Sequence, residues 1–242
     1  MKRTSKERAS ALRMVLPEWK GTNAKGRETR ELILRSALSV LVDEGFRAIS
    51  MRRVAAKSGI EFGNLTYHYP SREALITELL NAVFRAYDVA GDQIKQHRHL
   101  PPEERLVEMC NWVAQEIGVK QTAHLMPELW ALSNHDPFVA ARLDELYRSG
   151  VRPIVELIEE MRPDLEPDAH LALGMFVSVS LESMLISAGY KKPFAPWSPA
   201  FATMAAKSFV HLVKSITSKE IGALPPIRSL RTTGRAKRAR GD

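Results

Sequence analysis

Four residues between positions 50 and 71 restrict this chain more than anything else in it: Ser50, Gly59, Pro70 and Ser71. Serine is a favoured helix N-cap, because its hydroxyl accepts from one of the backbone N–H groups that a first helical turn leaves unpaired. Glycine takes the left-handed conformation that ends a helix, and proline cannot continue one. The spacing therefore predicts a short helix over Met51–Ser58, a tight turn at Gly59-Ile60-Glu61, and a second short helix at about Phe62–Tyr69 closed by Pro70. Ahead of them, Ile33, Ala37, Val40 and Leu41 fall on one stripe at helical spacing, which predicts a helix from Arg27 to Glu44 with Gly45 as its stop. Val54, Ala55 and Leu65 supply an apolar seam, Ile60 plugs it, and the small size of Ala55 and Gly63 permits close helix packing.

The remainder reads as helix after helix, without strand alternation, repeat period or hairpin signal. Ser71 caps a helix running to about His97, with Leu75, Leu79, Val83 and Tyr87 inward. Pro102 suits the first turn of a helix through Gly118. Further helices fit Thr122–Asn134, Pro137–Met161, Asp168–Ala188 and Pro199–Thr217, so the expected fold is all-α with about nine helices. Residues 1–24 are expected to form a mobile basic arm with a helical piece near Ser10–Leu16. Residues 220–242, with Gly222, Pro225, Pro226 and Gly234, are expected to be a disordered basic tail.

The net charge of +7 is concentrated at the two ends. Residues 1–30 carry nine Lys/Arg against three Glu (+6), residues 225–242 carry six against Asp242 (+5), and the stretch between holds −4. Such ends serve either as arms near nucleic acid, where each neutralised phosphate releases counterions, or as solvated tails that keep a protein in solution. A single cysteine, Cys110, excludes an internal disulfide and any multi-thiolate zinc site. With no signal-peptide apolar region and no run near ~18 apolar residues, the chain is expected to be cytoplasmic and free of membrane. No metal or cofactor is expected, and no enzyme. His124, His135, His170 and His211 are scattered, without a paired ligand spacing, Cys110 has no local His partner, and no glycine-rich phosphate loop follows a strand.

Three consecutive helices with a glycine turn before the third are the arrangement that carries a recognition helix into the DNA major groove. The continuous stretch from Glu31 to Leu80 strengthens that reading. Its Ile33-Leu34, Ala37, Glu44-Gly45-Phe46, Ser50-Met51, Val54-Ala55, Ser58-Gly59-Ile60, Gly63-Asn64-Leu65, Tyr67-His68-Tyr69 and Ser71-Arg72-Glu73-Ala74-Leu75 resemble the N-terminal domain of TetR-type transcriptional regulators. The resemblance implies a homodimer on a palindromic double-stranded operator. It also implies a helix-turn-helix reader over residues 25–75 and a C-terminal effector-binding and dimerisation domain over residues 76–219, hence a small-molecule effector.

The DNA-facing residues follow from geometry and from the resemblance together. Ser50 opens a helix whose N-terminus is a ready phosphate site. Arg52 and Arg53 sit in the first turn against the helix dipole, either to meet a phosphate or as solvated arginines. Phe62 and Asn64 point toward the groove, where Asn can read adenine and Phe can lie on a thymine methyl. Gly63 belongs to the same turn. Glu61 stands where the family usually has a Ser or Thr cap; a carboxylate caps well and can accept from cytosine. Thr66 replaces the family's usual Tyr. Tyr67 and His68 are backbone contacts, His68 alternatively a half-buried packing residue. Arg72 stands where the family commonly has a phosphate-binding Lys.

Past residue 100, Glu128-Leu129-Trp130-Ala131-Leu132, His135-Asp136-Pro137 and Tyr147 resemble the effector domains of one large branch of these regulators. The helices at Asp168–Ala188 and Pro199–Thr217 are apolar on more than one face and must be buried in the subunit or against a partner. The resemblance implies a four-helix dimer seam there, with Gly174, Ser178, Ser180, Ala205 and Ala206 permitting close approach. Candidate effector contacts are Trp112, Glu116, His124, Met126, Trp130, Met175 and Glu182, each alternatively a core residue; Pro127 frees a carbonyl near them. Such a lining suits a hydrophobic or amphipathic molecule, and a buried Glu116 or Glu182 would select a cationic one. The competing readings are a sequence-tolerant architectural DNA-binding protein driven by its basic arms, and an all-α enzyme or carrier that keeps a degenerate DNA module.

Overall fold

The computed structural model describes residues 14–16, 24–97 and 99–222, and these contain α-helices and no strand. The helices are α1 (Ala24–Glu44), α2 (Met51–Ser58), α3 (Phe62–His68), α4 (Arg72–Lys95), α5 (Pro102–Ile117), α6 (Lys120–Ser133), α7 (Pro137–Met161), α8 (Pro167–Ala188), α9 (Ser198–Ser215) and α10 (Ser218–Gly222). The bounds of α2 and α7 match the sequence expectation to the residue, and those of α1, α3–α6, α8 and α9 fall within one turn of it. Single 3-10 turns at Phe46–Ala48 and Ala195–Trp197, and the short α10, were not expected. Thr217 and Glu220 explain α10: the Thr217 amide and hydroxyl donate to Glu220 Oε2, and the Glu220 amide donates to Thr217 Oγ1. This is a reciprocal Thr-x-x-Glu capping box.

The basic arm and tail lie outside the described residues apart from two pieces. One is α10, which overlaps the expected start of the tail. The other is Met14–Leu16, the end of the expected helical piece, which is not helical. The Val15 amide donates to the Ala82 carbonyl (2.9 Å), and Arg85 Nε donates to the Val15 carbonyl (3.0 Å), so the segment is fixed along α4 by bonds that compete with a helix of its own.

One apolar cluster binds the reader to the rest. Ile33, Leu34, Ala37, Val40 and Leu41 of α1 meet Val54, Ala55 and Leu65 from α2 and α3. The same cluster continues through Leu75, Leu79 and Val83 of α4 into Leu125 and Leu129 of α6 and Leu143 and Leu146 of α7. A second cluster gathers Leu106, Met109 and Cys110 of α5 with Leu157 and Ile158 of α7, Val177 and Leu181 of α8 and Phe209 and Val213 of α9. Helix α5 is the axis of this half, touched by α4, α6, α7, α8 and α9. Its buried Cys110 thiol is pushed up to about 12 by desolvation, which makes it a packing group.

Four of the five small residues expected to line a dimer seam, Gly174, Ser178, Ala205 and Ala206, face the interior of the subunit, and Ser180 is half-buried. A Cβ on Gly174 would stand 2.5 Å from Val155 Cγ2, so this glycine serves the close approach of α7 and α8 within the subunit. Ala206 is 1% exposed in the second cluster, Ala205 packs against it, and Ser178 faces a cavity. The outer faces of α8 and α9 present large apolar side chains: Phe176, Val179, Ile186 and Met204 are all more than half exposed. By length and mean hydropathy alone α8 could cross a membrane, a test that a buried core helix also passes, and Asp168, His170 and Glu182 interrupt its apolar run.

Candidate nucleic-acid interface and ligand cavity

Helix α2 begins as its sequence demands. Ser50 is extended (φ −133°), and its hydroxyl accepts from the Arg53 amide at 3.1 Å. The helix ends on Gly59 in the left-handed region (φ 67°), where the Gly59 and Ile60 amides both return to the Ala55 carbonyl. The Ile60 bond is the 6→1 closure of a Schellman turn and the Gly59 bond is the 5→1 bond of the αL motif. A Cβ on Gly59 would meet nothing within 4 Å, so the requirement there is the dihedral angle, not space. Gly63 was expected to permit close packing, but it is exposed on α3 with open space before its Cα. Only Leu65 of α3 is buried; the helix is seven residues long and anchors itself with a single side chain.

The rest of α3 is a projecting surface. Phe62 is 48% and Tyr67 83% exposed, with Glu61, Gly63 and Asn64 beside them, and Thr66 and His68 half-buried. The Tyr67 and His68 rings meet edge to face at 5.2 Å. Burial, then the nearby Arg30 charge, holds His68 below its ordinary value, which favours the neutral imidazole.

Three expectations change here. Glu61 occupies the N-cap position of α3, but its side chain makes no capping bond. The favoured capping side chains are one methylene shorter, and Glu overreaches the turn. Arg53 carries an ion pair, its Nε and Nη2 donating to Glu44 at 2.9 and 2.6 Å, while its side chain stays exposed like that of Arg52. Arg72 is turned inward, its Nε donating to the Ile49 carbonyl (2.7 Å) and its guanidinium 4.9 Å above the Phe46 ring. It clamps the 3-10 turn that joins α1 to α2. Nothing in the local sequence spacing reveals either arginine's partner, because Glu44 lies across the α1–α2 connection from Arg53, and Ile49 and Phe46 lie beyond α2 and α3 from Arg72.

In the other half, α4, α5, α6, α7 and α8 enclose a cavity with an empty volume of about 920 Å³, part of it open to solvent. Five of the seven sequence candidates line it: Trp112, Glu116, Met126, Trp130 and Glu182. His124 and Met175 do not. On α6 the cavity side carries Thr122, Met126 and Trp130, four residues apart, and His124 falls on the opposite flank. There its Nδ1 lies 2.8 Å from the Val42 carbonyl. Met175 precedes Ser178 by a turn of α8 and lies beyond the wall. Tyr87, Thr122, Tyr147, Ser149 and Ser178 add polar groups to the lining that the sequence reading did not place there. Tyr87 had been read as part of the inner face of α4; a core-facing stripe and a cavity-facing stripe have the same period.

The two carboxylates of the cavity are in different states. Glu182 accepts from the Ser178 hydroxyl at 3.4 Å and lies against Tyr147, whose hydroxyl accepts from Trp130 Nε1. Burial raises its pKa, and these donors oppose the rise. Glu116 is 2% exposed, and neither of its oxygens has a hydrogen-bond partner. Desolvation alone pushes it up to about 7.

Helix α6 separates cavity and reader. On the flank away from the cavity, Lys120 Nζ pairs with Asp43 at 2.5 Å, His124 meets the Val42 carbonyl, and Glu128 Oε2 accepts from the Phe46 amide at 3.1 Å. These contacts hold the end of α1 and the start of the 3-10 turn, where Gly45 is forced to a positive φ of 86°.

Comparison with known proteins agrees with this architecture. Residues 33–79 match the family described as bacterial regulatory proteins, tetR family. Over 161 residues the chain is 25% identical to an uncharacterised HTH-type transcriptional regulator in the dhlA 5′ region of Xanthobacter autotrophicus, covering 62% of this chain and 72% of that protein. Among solved structures it resembles Salmonella enterica GusR (22% identity, TM-score 0.58, 77% of this chain and 96% of that one). It also resembles a transcriptional regulator from Saccharomonospora viridis solved in complex with choline (16% identity, TM-score 0.57, 78% and 97%). At these identities the structural likeness is one of fold.

Proposed function

We propose, taking as premise that this chain is a TetR-type transcriptional regulator, that it acts as a homodimeric repressor released from a palindromic operator by a small molecule bound in the cavity. The observation that carries this reading is the position of α6. One flank lines the cavity through Thr122, Met126 and Trp130, and the other holds the end of α1 through Lys120, His124 and Glu128. A ligand that moves Met126 or Trp130 acts on the same helix that holds the end of α1, so two arrangements of α6 couple the two sites.

In the reader, Asn64 and Phe62 face base edges, Tyr67 and His68 track the backbone, and Arg52 with the N-terminus of α2 meets a phosphate. Glu61, Gly63 and Thr66 lie against the same groove. The exposed apolar faces of α8 and α9, with Phe176, Val179, Ile186 and Met204, are covered by a second copy. A twofold dimer sets two recognition helices on half-sites about one DNA turn apart, ~34 Å, or more on bent DNA. The neighbour solved with choline supports a small-molecule site in this fold. The architectural alternative is not favoured, since it leaves the exposed set on α3 without a task.

The test is selection of bound duplexes from a random DNA pool by the full chain, followed by fluorescence anisotropy at about 0.15 M salt. A recovered palindrome, bound by the wild type and lost in an Asn64→Ala, Tyr67→Ala variant, supports the reading. Binding indifferent to sequence, or undiminished in that variant, refutes it.

A further inference from the structure

Among the described residues, Glu116 is a carboxylate on the cavity wall that the fold leaves with no hydrogen-bond partner for either oxygen. Burying such a group is costly, and buried polar groups in folded proteins are almost always satisfied by something. The surroundings define what the missing partner is. Glu182 on α8 brings a second acid to the same space, and no Lys, Arg or His lines it. Pro153, also on the wall, has no N–H and so cannot donate to the carbonyl of Ser149, another wall residue. Acceptors therefore outnumber donors, and negative charge has no counter-charge. The rings of Trp112, Trp130 and Tyr87 present electron-rich faces, with Tyr87 and Trp112 edge to face at 6.3 Å. The remaining wall is aliphatic, which demands an apolar body in whatever enters.

We propose that the effector is a protonated organic amine on an apolar body, its ammonium donating to Glu116 within reach of the Glu182 charge and its body packed on Trp112 and Trp130. The proposal rests on the reading of the cavity as the effector site and names the chemical class that site accepts. Glu182 contributes field more than bonds, because Ser178 and Tyr147 already occupy it. Glu116 makes the primary contact: its oxygens are free, and an ammonium brings both the donors and the opposite charge that it lacks. Binding draws the Glu116 proton off, since the cation favours the ionised form.

The experiment uses four probes with one tail and different heads: octylamine, octyltrimethylammonium, octanol and octanoate. Each is titrated into the full chain by calorimetry, and into its complex with selected operator DNA by anisotropy. Octylamine is expected to bind at least about tenfold more tightly than octanol, the scale of one charge-assisted hydrogen bond, with octanoate weakest. Glu116→Gln should bring octylamine down to the level of octanol while octanol binding, which also reports an intact cavity, stays as it was. Octanol or octanoate binding as tightly as octylamine overturns the proposal, as does a Glu116→Gln variant that keeps the preference. Octyltrimethylammonium matching octylamine overturns the N–H bond to Glu116. Binding of the series without DNA release counts against the effector reading alone; DNA release by octanol as readily as by octylamine counts against the cationic class alone. If no probe binds, both fall.

Discussion

Replacing Glu116 with glutamine should stabilise the protein strongly at pH 8 and only slightly, by less than about 1 kcal/mol, at pH 5. The carboxyl is 2% exposed with both oxygens unpaired, and desolvation lifts it from 4.5 to about 7. Below 4.5 it is neutral in folded and unfolded chains alike, and its favourable contribution is fully present. As pH rises the unfolded chain releases this proton first, so the folded state loses stability until the folded carboxyl also ionises near 7. At about 1.4 kcal/mol per pH unit the full penalty is about 3.5 kcal/mol. The cavity is partly open to solvent, which discounts the figure to roughly 2–3 kcal/mol. Glutamine keeps the shape and never ionises, so the variant escapes the penalty. Urea denaturation followed by circular dichroism at pH 5 and pH 8 and at one fixed protein concentration measures it, because assembly makes midpoints concentration-dependent. Other titrating groups cancel in the difference between wild type and variant. A stability difference that is the same at both pH values, or a variant less stable than wild type at pH 8, would show the carboxylate to be compensated and the reasoning wrong.

Further predictions concern the reader. Gly59→Ala should cost about 1 kcal/mol, because its φ of 67° disfavours any Cβ, whereas Gly63→Ala, in open space on a helix, should be neutral or stabilising by up to about 1 kcal/mol; equal effects on urea midpoints would refute the assignment. Tyr67→Ala, at 83% exposure, should leave stability within about 0.5 kcal/mol and weaken operator binding by anisotropy; a large drop in melting temperature would make Tyr67 a packing residue. Arg72→Lys should destabilise the protein by about 1–2 kcal/mol, since an ammonium lacks the planar fork that spans the Ile49 carbonyl and the Phe46 ring. Retained stability in that variant would dismiss the clamp.

Local chemistry was legible where it is local. Ser50 and Gly59 fixed α2 to the residue because a cap and a left-handed stop act over one turn. The stripe Ile33, Ala37, Val40, Leu41 is wholly buried as its period requires. What could not be read were pairings between elements. Arg53 meets Glu44, and Arg72 meets Ile49 and Phe46, at separations no helical period encodes. The cavity was legible in residue type but not in orientation. Trp112, Met126 and Trp130 face it, while His124, of equally suitable chemistry, sits two positions out of phase on α6. Gly174 shows the same limit: a small residue signals a close approach without saying whether the neighbour is α7 or another subunit. The capping box of Thr217 and Glu220 was in the sequence to be read, and the prolines and arginines that follow it obscured it.

On the proposed reading, the double duty of α6 bears on how a cell would experience this protein. A helix shared by two sites acts in both directions, so whatever factor the ligand imposes on DNA, DNA imposes on the ligand. A copy seated on its operator is then a poorer sensor than a copy in free solution. Unbound copies take up incoming ligand first, and transcription stays silent until they are filled. The dose at which the gene responds is therefore set partly by how many molecules the cell keeps, a quantity adjustable by expression without altering any residue of the cavity.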